Sequence, residues 1–216
     1  MKKSVIFDLD GTLLDTVEDL GHATNHALKG CGFPERPVPD YYRLAGRGIM
    51  NMFRGAVPDG RADEETLARI KGLFLAWYDV HMCDRTHPYP DIPELLRTLM
   101  ARGIHISLAS NKYQAGAEKI VTHFFPDILF DPVLGQRDGF PIKPDPAIVD
   151  RCITAAGVTK DEVLYVGDSD VDMQTGLNAG VDTVGVTWGF RSRAELETFH
   201  PFAIVDTASD LARLIL

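Results

Sequence analysis

Aspartates gather in this sequence at the ends of apolar runs. "SVIFDLDGT" carries Asp8 and Asp10 one residue apart, with Gly11 and Thr12 directly after them. Far along the chain, "EVLYVGDSDVD" repeats the device with Asp168, Asp170 and Asp172. Asp and Gly are poor strand residues, so each run reads as a strand that stops where its acids begin. Side chains two apart on extended backbone share a direction, so Asp8 and Asp10 form a pair. Carboxylates on one rim repel, and uncompensated they destabilise the fold or take up protons. A hard divalent cation relieves that repulsion, and an all-oxygen donor set favours Mg²⁺. The basic partner is Lys143 in "FPIKPDPAIV", on a loop stiffened by Pro144 and Pro146. Beside a metal and a group of acids, a lysine is the point charge that binds phosphate. Taken singly, each acid also suits a turn or a helix N-cap, and a lone lysine before a helix is ordinarily solvated. The set, spread over several strand ends, is what points to a site.

The elements that would gather these residues can be read from periodicity. Strands fit residues 4–8, 104–110, 162–168 and 182–188, with a short fifth at 202–206. Helices fit 92–103, 115–125, 146–157, 170–180 and 208–216, and Gly103, Gly157 and Gly180 stand where helix C-caps are expected. Near-continuous apolar strands alternating with helices predict an α/β fold, a doubly wound parallel sheet with a Rossmann-like core. In such sheets ligands bind outside the carboxyl ends of the strands. That rule brings Asp8, Asp10, Ser110, Asn111, Asp168 and Asp172 to one place.

One connection breaks the rhythm. Between Asp8 and Ile104 lie 95 residues, where a whole βαβ unit needs about 30. Helical patterns at 17–32, 39–53 and 63–82 fill most of that length, with Pro and Gly in the gaps at 34–39 and 58–60. The reading is a catalytic core of residues 1–15 and 86–216, with a helical cap domain of residues 16–85 inserted after the first strand.

Composition sets the boundaries. The chain has 216 residues, 45% hydrophobic and 25% charged, a mixture able to bury a core. A formal net charge of -9 argues against nucleic acid and anionic membrane surfaces as partners, and leaves room for a small anionic substrate held by local charges. Cys31, Cys83 and Cys152 are odd in number and form no Cys-x-x-Cys, which fits a reducing compartment. Lys2 and Lys3 imitate a signal-peptide start, but Asp8 interrupts the apolar run. No stretch approaches the ~20 apolar residues of a membrane helix. A cytoplasmic protein is expected; the oligomeric state is left open.

"DLDGT" at 8–12, "SN" at 110–111, "KPDP" from Lys143 and "GDSDVD" at 167–172 come in the order of the four motifs of the haloacid dehalogenase superfamily, which the chain resembles along essentially its whole length. The inserted helices resemble the cap of one branch, and "GVTWGFRSRAEL" at 185–196 resembles the phosphoglycolate phosphatases within it. The resemblance implies a phosphatase acting on a small phosphate monoester, with Mg²⁺ as cofactor. It implies Asp8 as the nucleophile that forms an aspartyl-phosphate, and Asp10 as the acid for the leaving alkoxide and then the base for water. Asp8, the carbonyl of Asp10 and Asp168 would hold the metal, with Asp172 bound directly or through water. Thr12, Ser110, Asn111 and Lys143 would hold the phosphoryl group. Inorganic pyrophosphatase, nucleotidase and sugar-phosphate mutase are the alternatives within the superfamily. The mutases carry a cap histidine where Leu20 stands here. Phospho-accepting signalling domains also use a reactive Asp on a doubly wound sheet, but have no such insertion.

Substrate choice should lie in the insertion. Arg47, between two glycines in "LAGRGIM", could fork onto a substrate carboxylate or be a surface arginine at a helix break. His22 and His26 have a spacing that can bind metal but lack further ligands, which favours an exposed or packed helix face. Phe74, Trp77 and Tyr78 are expected to pack the core of the insertion. Asp15, where the chain leaves the core, is read as a hinge or helix-capping residue.

Overall fold

The computed structural model describes residues 2–58 and 63–216. In chain order, β1 (Ser4–Phe7) and the two-residue β2 (Leu14–Asp15) lead into α1 (Val17–Gly30), α2 (Tyr41–Leu44), α3 (Ile49–Ala56) and α4 (Glu64–His81). The chain returns through β3 (His87–Pro88) to α5 (Ile92–Ala101), β4 (His105–Tyr113), α6 (Gln114–Phe124), β5 (Val133–Gln136) and α7 (Ala147–Ala156). Then follow β6 (Val163–Gly167), α8 (Asp170–Ala179), β7 (Asp182–Val186), α9 (Arg193–Glu197), β8 (Ala203–Val205) and α10 (Ala208–Ile215).

Among the described residues, six strands form one sheet in the order β5-β4-β1-β6-β7-β8, every pair parallel. The β1 sequence explains its central place. Val5 and Phe7 face one apolar cluster with Leu95, Ile120 and Leu211 of α5, α6 and α10. Ile6 faces the other, with Ile148, Val149 and Cys152 of α7. A strand apolar on both faces needs helices on both sides of the sheet. Chain order reverses across β1, so the crevice of a doubly wound sheet falls at its carboxyl end.

Helices α1 to α4 add no strand to this sheet. They leave and rejoin it through β2 and β3, which pair antiparallel at Leu14–Pro88 and Asp15–His87. Asp15 accepts from Val17 N at 3.2 Å, at the first residue of α1. A second acid secures the return: buried Asp19 accepts from Thr86 N and Oγ1, both at 2.8 Å, and from Arg85 N at 3.0 Å. Asp19→Ala leaves these donors without a partner, which should cost roughly 2 kcal/mol. Thermal denaturation should then show a midpoint about 5 °C lower; an unchanged midpoint would count against Asp19 as the fastening.

Several elements differ from the expectation. The single helix expected over 39–53 is two, broken where Gly46 and Gly48 take φ of 100° and 81°, a left-handed region that favours glycine. The expected break at 58–60 lies in part outside the described residues. Strand β5, the β2–β3 ribbon and the five-residue α9 are additions, all too short to show a period. Within the insertion, Phe74 is buried against Phe53 and Tyr78, with ring centroids 5.1 and 5.0 Å away. Trp77 is only half-buried, stacked between His26 and His81 at 4.1 Å from each. His26 is thus a stacking partner, and neither it nor His22 belongs to a cluster with metal-binding spacing among the described residues.

Candidate active site

Parallel register lays Phe7 beside Leu108 and Val166. The next residues of the three strands therefore share one rim, and Asp8 N donates to Val166 O at 2.9 Å. β4 shifts its register against β5 between Ala109 and Tyr113. Such irregularities re-aim side chains, and this one carries Ser110, Asn111 and Lys112 to the rim.

Asp8, Asp168 and Asp172 are all buried, and each offers an oxygen within 4.8 Å of the others. Lys143 lies among them. Its Nζ donates to Asp8 Oδ1 and Asp172 Oδ1, both at 2.7 Å, and stands 3.1 Å from Tyr165 Oη. No described residue bonds the other oxygen of Asp8, which is left for chemistry. Burial and then the charge of Asp172 push the Asp8 carboxyl up to about 7, against the pull of Lys143. Burial and the charges of Asp172 and Asp8 likewise hold Asp168 well above the carboxylate range. For Lys143, burial acts downward, but Asp172 and Asp8 outweigh it and its ammonium stays well above the usual value. One lysine offsets only one of three buried carboxyls, so without a further cation the others take up protons, and the donors are all oxygens. That combination suits a hard divalent cation.

The three acids of "GDSDVD" do three different things. Asp168 accepts from Thr12 Oγ1 at 3.0 Å and from Phe190 N at 2.7 Å. A Cβ on Gly11 or Gly189 would run into its carboxyl, so both glycines serve close approach. Asp172 is the N3 residue of a capping box on α8, accepting from Ser169 N at 3.1 Å and Oγ at 2.5 Å. Its other oxygen takes Tyr165 Oη at 2.9 Å as well as Lys143. Asp170 faces away from this cluster and pairs with Arg47 and, at 3.4 Å, with Arg191.

Asp10 meets a residue that the motifs do not include. Lys112 Nζ donates to Asp10 Oδ1 at 2.9 Å and to Tyr78 Oη of α4 at 2.8 Å. The signal available was a lysine closing an apolar strand, one place after Asn111. Asn111 itself ties three segments together: Oδ1 accepts from Lys143 N at 2.9 Å, while Nδ2 donates to Gly46 O at 3.2 Å and Lys143 O at 3.3 Å. A cavity of about 30 Å³ lies over the rim, lined by Asp8, Asp10, Ser110, Asn111 and Lys112 below and by Leu20, Ile49, Met52 and Tyr78 above.

Two of the expected residues lie apart from the cavity or are already engaged. Arg47 does not line this cavity; its guanidinium lies on Asp170 in an outer cleft, 59% of the side chain exposed, because that carboxylate is the nearer anion. The Thr12 hydroxyl donates to Asp168, where it helps to orient that carboxylate. The loop after β7 contributes more than its sequence suggested. Trp188 Nε1 donates to Thr12 O at 3.0 Å, and the Phe190 ring meets Tyr42 edge-on at 5.5 Å. Buried Arg191 donates to the carbonyls of Tyr42 at 2.5 Å and Ala45 at 3.2 Å, at the end of α2.

A buried carboxylate beside a lysine and an acid cluster, at the switch point of a doubly wound sheet, is an arrangement suited to phosphoryl-group chemistry. The chain belongs to the haloacid dehalogenase-like hydrolases, whose family model matches residues 5–186. It is 30% identical over 220 residues to the phosphoglycolate phosphatase of Mannheimia succiniciproducens, covering 99% of this chain and 98% of that protein. To the phosphoglycolate phosphatase of Cereibacter sphaeroides it is 33% identical over 220 residues, covering 98% of each. The crystal structure of a predicted phosphoglycolate phosphatase from Haemophilus somnus superposes with a TM-score of 0.91 at 28% identity, covering 100% of this chain and 98% of that one. The chain is a phosphatase, a phosphoric monoester hydrolase. No described helix is long and apolar enough to cross a membrane.

Proposed function

We propose that this enzyme hydrolyses a small phosphate monoester of the phosphoglycolate type through an aspartyl-phosphate on Asp8, with Mg²⁺ as cofactor. The observation that carries the reading is Asp8 itself: held by Lys143 through one oxygen at 2.7 Å, clustered with Asp168 and Asp172, and one residue from Asp10. The free oxygen of Asp8 attacks phosphorus in line, and the bond to the leaving oxygen breaks as Asp10 gives that oxygen its proton. Asp10, now a carboxylate, takes a proton from the water that attacks the phosphorus of the aspartyl-phosphate. Phosphate leaves, and Asp8 and the acid form of Asp10 are regenerated. Ser110, the Asn111 amide and Lys143 position the phosphoryl oxygens. Asp8, the Asp10 carbonyl and Asp168 would hold Mg²⁺, with Asp172 behind them. The cation would neutralise phosphoryl charge so that an anion can approach a carboxylate.

Residues 16–85 act in this reading as a cap. The 30 Å³ cavity has room for about two waters, so a substrate enters only when the helices swing away, and only a small one is enclosed on closure. Leu20 puts an apolar side chain over the rim. It offers no proton acceptor at the position where the resembling mutases carry histidine, which favours hydrolysis over transfer within a sugar. An assay panel tests the whole reading: phosphoglycolate, other phosphate esters and pyrophosphate, each with Mg²⁺ and with chelator. Phosphoglycolate should be turned over best and chelation should stop it. Preference for pyrophosphate, or activity indifferent to chelation, would sink the reading.

A further inference from the structure

Of the cations near the rim, Lys143 is committed to Asp8 and Asp172, and Arg47 lies on Asp170 outside the cavity. Lys112 is different. It is 4% exposed, it lines the cavity, and its Nζ has an ion-pair partner in Asp10 alone among the described residues. An ammonium has three protons to donate. Two go to Asp10 and Tyr78; the third meets no acceptor among the described residues. Tyr78 accepts from Lys112, so its own proton is also unused there. Tyr78 is fully buried and lines the same cavity. Burial, and then the nearby charges of Asp10 and Asp19, hold its hydroxyl well above the usual tyrosine range, so it remains a donor. Two unused donors, one from the core and one from α4, thus meet inside a cavity whose upper wall is otherwise apolar. A buried polar donor without an acceptor is costly, and a ligand oxygen removes that cost.

We infer that Lys112 and the Tyr78 hydroxyl bind a second anionic group of the substrate, a carboxylate placed close to the phosphate ester. The substrate class is then phosphorylated small hydroxy acids, and the specificity residue is Lys112 rather than Arg47. The inference rests on the phosphatase reading above and deepens it. Because α4 supplies one of the two donors, the carboxylate is fully held only when the cap is closed.

The test compares phosphoglycolate with 2-hydroxyethyl phosphate, its near-isostere without the carboxylate, by the ratio of kcat/KM. Wild type should favour phosphoglycolate. Lys112→Met should lower that ratio roughly 10- to 100-fold, the loss of a charge-assisted hydrogen bond. Lys112→Arg should restore part of it. Tyr78→Phe, which keeps the ring packing, should lower the ratio several-fold, about one neutral hydrogen bond. Arg47→Ala should leave the ratio within about twofold, as befits an exposed ion pair. If Lys112→Met slows both esters equally, Lys112 only positions Asp10 and the inference is overturned. If Lys112→Met does not fold, Tyr78→Phe decides, and an unchanged ratio there overturns it. A ratio that falls in Arg47→Ala also overturns it. A wild-type ratio near one refutes the inference while leaving the phosphatase reading intact. Failure of wild type to hydrolyse either ester refutes both.

Discussion

Asp8→Asn should lower turnover of any phosphate ester by roughly 10⁴-fold or more, since in the proposed mechanism Asp8 takes the phosphoryl bond. The substitution keeps the shape of the side chain and removes its charge. Lys143 retains Asp172 at 2.7 Å, so the lysine is not left without an anion. Removing one of three buried carboxylates also relieves repulsion. The variant should therefore melt no lower than wild type in the absence of metal. Circular dichroism melting beside a steady-state assay checks both halves. Residual activity of a few per cent in a folded variant would refute the assignment of the nucleophile.

Added Mg²⁺ should stabilise the protein more at pH 8 than at pH 5. Burial and the charge of Asp172 raise the Asp8 carboxyl to about 7 from the ordinary aspartate value of 3.8. Between those values the folded state keeps a proton that the unfolded chain releases. Stability from this group is therefore complete below pH 4 and falls as pH rises through 7. Mg²⁺, in the proposed reading, would bind the ionised cluster, so its benefit should grow where that stability has gone. At about 100 times its dissociation constant the ion contributes about 2.7 kcal/mol, or roughly 5–10 °C in the melting midpoint of a chain this size. Scanning calorimetry with and without the ion at both pH values measures it. Asp168→Asn should remove most of the shift; a shift equal at both pH values would contradict the linkage.

The core was legible because its signals are local. Each strand that carries chemistry is an apolar run that stops at an acid or a small polar residue, and parallel pairing turns those stops into one rim. β5 escaped because it has four residues, Pro132 before it and Gly135 within it. The break in 39–53 shows in the sequence only as Gly46 and Gly48, because helical periodicity resumes on both sides of them. The site was legible in its residue types and not in its pairings. Arg47 looked available because its partner, Asp170, is 123 residues away. Lys112 looked like any lysine until Tyr78 and Asp10 closed around it. Partner choice across long sequence separations is a property of the packed chain, and one sequence carries no direct trace of it.

The loop from Trp188 to Arg191 has a consequence for how this protein can vary. Surface connections usually drift freely in sequence and length. Here four consecutive residues answer to three different parts of the molecule. Trp188 meets the Thr12 carbonyl, Gly189 makes room for Asp168, Phe190 gives that carboxylate an amide, and Arg191 grips the end of α2. A one-residue insertion would put every one of those attachments out of step at once. This short turn, although it carries none of the reacting atoms, should be as intolerant of change as the acids it surrounds.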